Sequence, residues 1–111
     1  MKKKEKRSKQ ENEFICYGTM TRLETVLGVD ELGYAVNFTL DNGGDATPFQ
    51  CYVPILRDGY SVKNALKSIM KAFAEGYVVA AYANSEDHNL LLTTVEGETL
   101  VLIRGDWMVV Q

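Results

Sequence analysis

Residues 34–55 read YAVNFTLDNGGDATPFQCYVPI. Tyr34, Val36, Phe38 and Leu40 alternate with Ala35, Asn37 and Thr39, the two-residue period of a strand with one buried face. Asp41-Asn42-Gly43-Gly44-Asp45 has turn chemistry, because Asn and Gly accept positive φ. Phe49, Cys51, Val53 and Ile55 then alternate with Gln50, Tyr52 and Pro54. The stretch therefore predicts a β-hairpin. Pro54 has no N–H to donate, so the second strand ends there or lies at a sheet edge. Such an open edge along Phe49–Pro54 would allow homo-oligomers to form.

Upstream, residues 14–26 are rich in aromatic and β-branched side chains and predict one long strand interrupted by Gly18. An interior glycine marks a bulge or bend, which lets one strand serve two parts of a sheet. Residues 28–33, GVDELG, predict a loop. Downstream the period changes. Val62, Leu66, Ile69 and Phe73 form one apolar stripe of an α-helix over residues 61–75, with Ser61 as N-cap and Gly76 as the C-terminal stop. If that stripe meets the core, Phe73→Asp should unfold the domain. Strands follow at residues 77–83, 90–95 and 99–103, the last two joined by a tight Glu96-Gly97-Glu98 turn. Met108-Val109-Val110 extends the last strand or adds a short one.

The order β-β-β-α-β-β predicts a mostly β domain, an OB-fold-like barrel of five to six strands with one helix plugging its end. An α+β open antiparallel sheet with one packed helix has the same element order. The run YAVNFTLDNGG…FQCYVP, a helix SVKNALKSIMKAFAEG, then YVVAAYANS and a final hairpin resembles the B subunits of pentameric bacterial toxins over about residues 34–104. The resemblance is one of element types. It implies an OB-type fold and, as a further alternative, a glycan-binding oligomer. Proteins of that family are exported and usually disulfide-bonded.

With 111 residues and 46% hydrophobic content, the chain suits one globular domain with its own core. The expected division is a disordered basic tail over residues 1–12 and a single domain over residues 13–111. Residues 1–9 hold Lys2, Lys3, Lys4, Lys6, Arg7 and Lys9 against one acid, Glu5, for a charge of +5. The rest of the chain holds six basic and fourteen acidic side chains, a charge of −8, which together give the net −3. The tail can meet phosphate or an acidic surface. The acidic body suits docking on a basic protein partner. No apolar stretch follows the N-terminal lysines and no run is long enough to span a bilayer, so a cytoplasmic location without membrane contact is expected.

Catalytic, metal and cofactor sites are not expected. The single histidine, His88, falls in the polar run 85–89 beside Glu86 and Asp87, whose side chains diverge. Cys16 and Cys51 are thirty-five positions apart and fit buried thiols rather than a zinc site. Binding is the better reading. The outward positions of the second and third strands are Asn37, Thr39, Gln50 and Tyr52, with Arg22 beside them if the Gly18 bend turns it outward. Tyr52 can stack on a base or sugar ring and Arg22 can meet a phosphate, so these five residues form a candidate single-stranded nucleic-acid face. Lys63, Lys67 and Lys71 line one side of the helix as a second cationic edge or as an ordinary solvated face.

Overall fold

The computed structural model of the chain describes residues 12–27, 33–54, 62–84, 88–103 and 106–110. Seven strands, β1 (Asn12–Leu27), β2 (Gly33–Asn42), β3 (Asp45–Pro54), β4 (Val78–Asn84), β5 (Leu90–Thr94), β6 (Thr99–Ile103) and β7 (Trp107–Val109), accompany one helix, α1 (Val62–Glu75). All pair antiparallel in a single sheet of order β6-β5-β4-β1-β2-β3-β7.

The 34–55 hairpin is present and tighter than expected. Asp41, Asn42 and Asp45 belong to the strands, Asn42 pairs with Asp45, and the turn is Gly43-Gly44 alone. Both glycines have positive φ, 63° and 100°, as a two-residue I′ turn requires. The Asp41 carboxylate accepts the Gly44 N–H at 2.9 Å and holds the turn. β3 ends at Pro54, but it is not the sheet edge. β7 pairs with Phe49–Cys51, so the first part of the open edge expected along Phe49–Pro54 is occupied.

β1 is shared between two neighbours. Asn12–Thr19 pairs with β4 and Thr19–Leu27 with β2. Gly18 sits at the changeover because β2 passes directly over it. A Cβ there would lie 2.5 Å from the Asp41 carbonyl oxygen. The bends themselves are bulges on either side, between Phe14 and Cys16 and between Met20 and Arg22.

β6 and β7 are the two outer strands, yet only residues 104–106 separate them in sequence. Four residue steps reach at most about 14 Å, whereas six strand spacings in a flat sheet span about 29 Å. The sheet is therefore rolled until its ends lie near each other. Among the described residues β6 and β7 do not pair, and the sheet is open. Met108–Val109 belongs to this separate strand on β3, not to an extension of β6, because it pairs with Gln50 and Phe49.

The concave side holds one core: Val36, Phe38 and Leu40 of β2, Phe49, Cys51 and Val53 of β3, Val79 and Ala81 of β4, Leu90 and Leu92 of β5, and Val101 and Ile103 of β6. Phe38 and Phe49 stack at 4.9 Å between ring centroids. α1 packs against β1 and β6. It buries Ala65, Ile69 and Ala72, with Leu66 half-buried. Phe73 is 41% exposed, which corrects the stripe expected from the sequence. The alanines let the helix backbone approach the sheet, so the buried line runs through small residues and the large Phe73 is left on the shoulder.

The helix stops as its sequence requires. Gly76 has φ 70°, the Tyr77 N–H donates to the Ala72 carbonyl at 3.1 Å, and the Gly76 N–H donates to the Phe73 carbonyl. Ser61, the loop at residues 28–32, Ile55 and the tail cations Lys2, Lys3, Lys4, Lys6, Arg7 and Lys9 lie outside the described residues. Asn12, assigned to the tail from sequence, begins β1.

Candidate functional site

Register assembles the candidate face. Across β1, β2 and β3 the outer side carries three rows: Arg22–Thr39–Pro48, Glu24–Asn37–Gln50 and Val26–Ala35–Tyr52. Met108 of β7 continues the middle row beside Gln50. Arg22, Asn37, Thr39, Gln50 and Tyr52 therefore share one surface. The reason for Arg22 differs from the expected one. Regular alternation would put Arg22 on the same side as the buried Met20, and the bulge at Thr21, not the glycine, turns it outward.

Two adjoining depressions mark this surface. One, of about 380 Å³, lies between Asn37, Gln50, Tyr52, Asp106, Trp107 and Met108. The other, of about 200 Å³, is lined by Arg22, Glu24, Asn37, Thr39 and Gln50 together with Pro48 and Val110. Asn37 and Gln50 border both and pair across β2 and β3. Their carboxamides offer donors and acceptors side by side. Arg22 is the one cation among these lining residues, and Glu24 and Asp106 are carboxylates.

Met108 and Asp106 enter the site through a pairing the sequence does not announce, while Trp107, opposite Cys51, borders the depression but packs toward the core, 6.3 Å from Phe49. β7 has only three residues, but it is fastened at both ends. The Tyr52 N–H donates to the Asp106 carbonyl at 2.8 Å, and the Val110 N–H donates to the Pro48 carbonyl at 2.9 Å. Trp107 Nε1–H donates to the His88 carbonyl at 2.8 Å, and the two rings stack at 4.8 Å and 17°. His88 is held for this at φ 56°, with its N–H bonded to the Asn84 carbonyl. The lone histidine is the stacking partner of this core-packed tryptophan.

The helix cations do not join this face. Lys67 and Lys71 are exposed on α1, and Lys71 borders a separate depression of about 510 Å³ with Glu96 and Glu98. The Lys63 side chain lies outside the described residues. Both cysteines are free thiols. Burial pushes the Cys51 thiol up to about 12 and raises Cys16, the latter opposed in part by a hydrogen bond from Thr47. Neither is a thiolate nucleophile near neutral pH. Among the described residues no three metal-ligating side chains converge, and no helix is long and apolar enough to cross a membrane.

Fold and site together define a small antiparallel β domain with one helix and a polar–aromatic outer face. No family model matches the chain, and no curated protein or solved structure is detectably similar to it.

Proposed function

We propose that the chain is a non-enzymatic binding module of OB type that contacts single-stranded nucleic acid through the outer face of β1, β2, β3 and β7, with the basic tail supplying phosphate contacts. The observation that carries this reading is the convergence of Arg22, Asn37, Thr39, Gln50 and Tyr52 on one grooved surface, to which Met108 adds apolar area. An aromatic ring beside carboxamides suits unpaired bases, which offer both a π face and hydrogen-bonding edges. The rolled sheet, with β1 shared between β2 and β4, supports a barrel-like reading of the fold.

The acidic body sets a limit on this binding. The face itself has one cation and two carboxylates, so attraction to phosphate comes from the tail, and affinity should fall steeply with salt. Fluorescence anisotropy with a labelled mixed-sequence single-stranded oligonucleotide tests the proposal. Tyr52→Ala should weaken binding about tenfold. Wild-type affinity in that variant would remove this face from the account.

A second reading is a small protein-interaction module docking on a basic partner, favoured by Met70 and Phe73, both exposed on the same shoulder of α1, and by the −8 body. It expects no affinity for oligonucleotides and capture of one basic protein that Phe73→Ser releases.

A further inference from the structure

The two depressions on the outer face of β1, β2, β3 and β7 differ in charge. Arg22 and Glu24 line the smaller one, whereas the described residues lining the larger include no cation and one acid, Asp106. Register fixes where that acid stands. Trp107 lies opposite Cys51 and packs toward the core, and the Tyr52 N–H donates to the Asp106 carbonyl. Asp106 therefore stands opposite Tyr52 with its side chain on the outer side, where Met108 also faces.

Two rows bound the larger depression, Ala35–Tyr52–Asp106 and Asn37–Gln50–Met108. Neighbours within a row are about 5 Å apart at Cβ, and successive rows are about 7 Å apart. Ala35 has a single methyl group between Val26 and Tyr52, and this low point opens the space of about 380 Å³. Around it stand a phenol ring, a thioether, two carboxamides and a carboxylate.

These groups discriminate among bases. A carboxylate only accepts, and its two oxygens match two parallel donors. Guanine alone among the four bases presents two adjacent N–H donors, N1–H and N2–H, on its Watson–Crick edge. Thymine and uracil flank their single N–H with carbonyls. Adenine and cytosine set an unprotonated ring nitrogen beside the amino group, so a lone pair faces the carboxylate. The O6 and N7 acceptors of guanine suit the carboxamide N–H groups of Asn37 and Gln50. Asp106 repels phosphate, which is drawn instead to Arg22, two rows or about 13 Å away along the strands.

We infer that the depression between Ala35, Tyr52, Asp106 and Met108 is a guanine subsite for a single strand, with Asp106 reading the donor edge of the base. This inference rests on the proposed function and names the base that the same face prefers.

The test uses anisotropy of the full chain with three labelled oligothymidylates of equal length, one unsubstituted and two carrying a central guanine or hypoxanthine. Hypoxanthine is guanine without its 2-amino group. The guanine strand should bind about tenfold more tightly than the unsubstituted one, with the hypoxanthine strand between them. Asp106→Asn and Ala35→Val change exposed and half-buried positions, so both should keep the wild-type melting transition. Asp106→Asn should bind the unsubstituted strand more tightly, because a repelling charge is gone, yet lose the preference for guanine. Ala35→Val fills the low point without altering charge and should lose the preference too. Equal wild-type affinity for all three strands, with Tyr52→Ala still weakening each, would overturn the subsite and leave the proposed function standing. A guanine preference that survives Asp106→Asn would overturn the inference as well. No binding of any strand would overturn both, and capture of an arginine-bearing peptide by the wild type but not by Asp106→Asn would then assign the carboxylate to a protein partner.

Discussion

Gly18→Ala tests the architecture at its tightest point. The added Cβ would lie 2.5 Å from the Asp41 carbonyl oxygen, 2.6 Å from its carbonyl carbon and 2.9 Å from its nitrogen. Ordinary contact begins near 3.4 Å, so β2 must retreat by about 0.9 Å. It cannot do so freely, because Asp41 is paired with Thr19 on one side and Ala46 on the other. Overpacking of this kind costs about 1–3 kcal/mol, and each ladder hydrogen bond lost at the changeover adds about 1 kcal/mol. A total near 3 kcal/mol is a large share of the stability of a small domain and should lower the melting temperature by about 12 °C. Thermal and urea melts followed by far-ultraviolet circular dichroism measure it. Gly97→Ala is the control: it has positive φ but open space around it, so only the strain of about 1 kcal/mol should appear. If Gly18→Ala melts within about 1 kcal/mol of wild type, the close crossing of β2 over β1 is wrong.

Helix phase is checked by two substitutions in parallel: Ile69→Ala should cost about 2–5 kcal/mol because Ile69 is 1% exposed, whereas Phe73→Asp should leave cooperative unfolding near the wild-type midpoint. The reverse ranking in urea melts would mean that the helix is rotated. Burial of Cys51 has a pH signature. Its folded pKa of about 12 lies above the usual value of 9.0, so the stability from keeping the thiol protonated is complete below pH 9 and is lost as pH rises toward 12, at about 1.4 kcal/mol per pH unit. Cys51→Val should remove this loss, so the gap between wild type and variant measured by denaturant melts should move in favour of the variant above pH 9; a gap constant with pH would contradict the burial. Trp107→Phe removes the bond to the His88 carbonyl and should shift the melt by about 1 kcal/mol, and a larger loss would mean that β7 depends on that bond more than on its pairing with β3.

What could be read from the sequence was whatever is local. The 34–55 hairpin, the helix and its glycine stop, and the strands at residues 90–95 and 99–103 follow from period and turn chemistry within a few residues. The outward set Asn37, Thr39, Gln50 and Tyr52 follows from the same alternation. Long-range pairing was not legible. Nothing in Trp107-Met108-Val109 announces β3 as its partner more than fifty residues away, so the place of Met108 and Asp106 beside Gln50 and Tyr52 was not legible. Bulges were equally hidden. Gly18 is conspicuous, but the displaced residues are Ile15 and Thr21, ordinary side chains whose role is set by their neighbours' registers. One bulge turns Arg22 outward and the other puts Phe14 beside Tyr17. The helix misreading has a related cause. A hydrophobic pattern weights large side chains, whereas close packing on the sheet selects Ala65 and Ala72.

The central claim is that this domain binds single-stranded nucleic acid through its sheet, with the tail as electrostatic tether. Anisotropy of a labelled mixed-sequence oligonucleotide across a salt series, for the full chain and for a version beginning at Glu11, tests it most directly. With six cations in residues 1–9, the full chain should show a slope of log affinity against log salt of about −4. The shorter version should lose most of that slope while keeping weaker binding that Tyr52→Ala reduces further. Binding by the full chain that vanishes entirely in the shorter version would reduce the contact to the tail alone, and no binding by either at low salt would contradict the account.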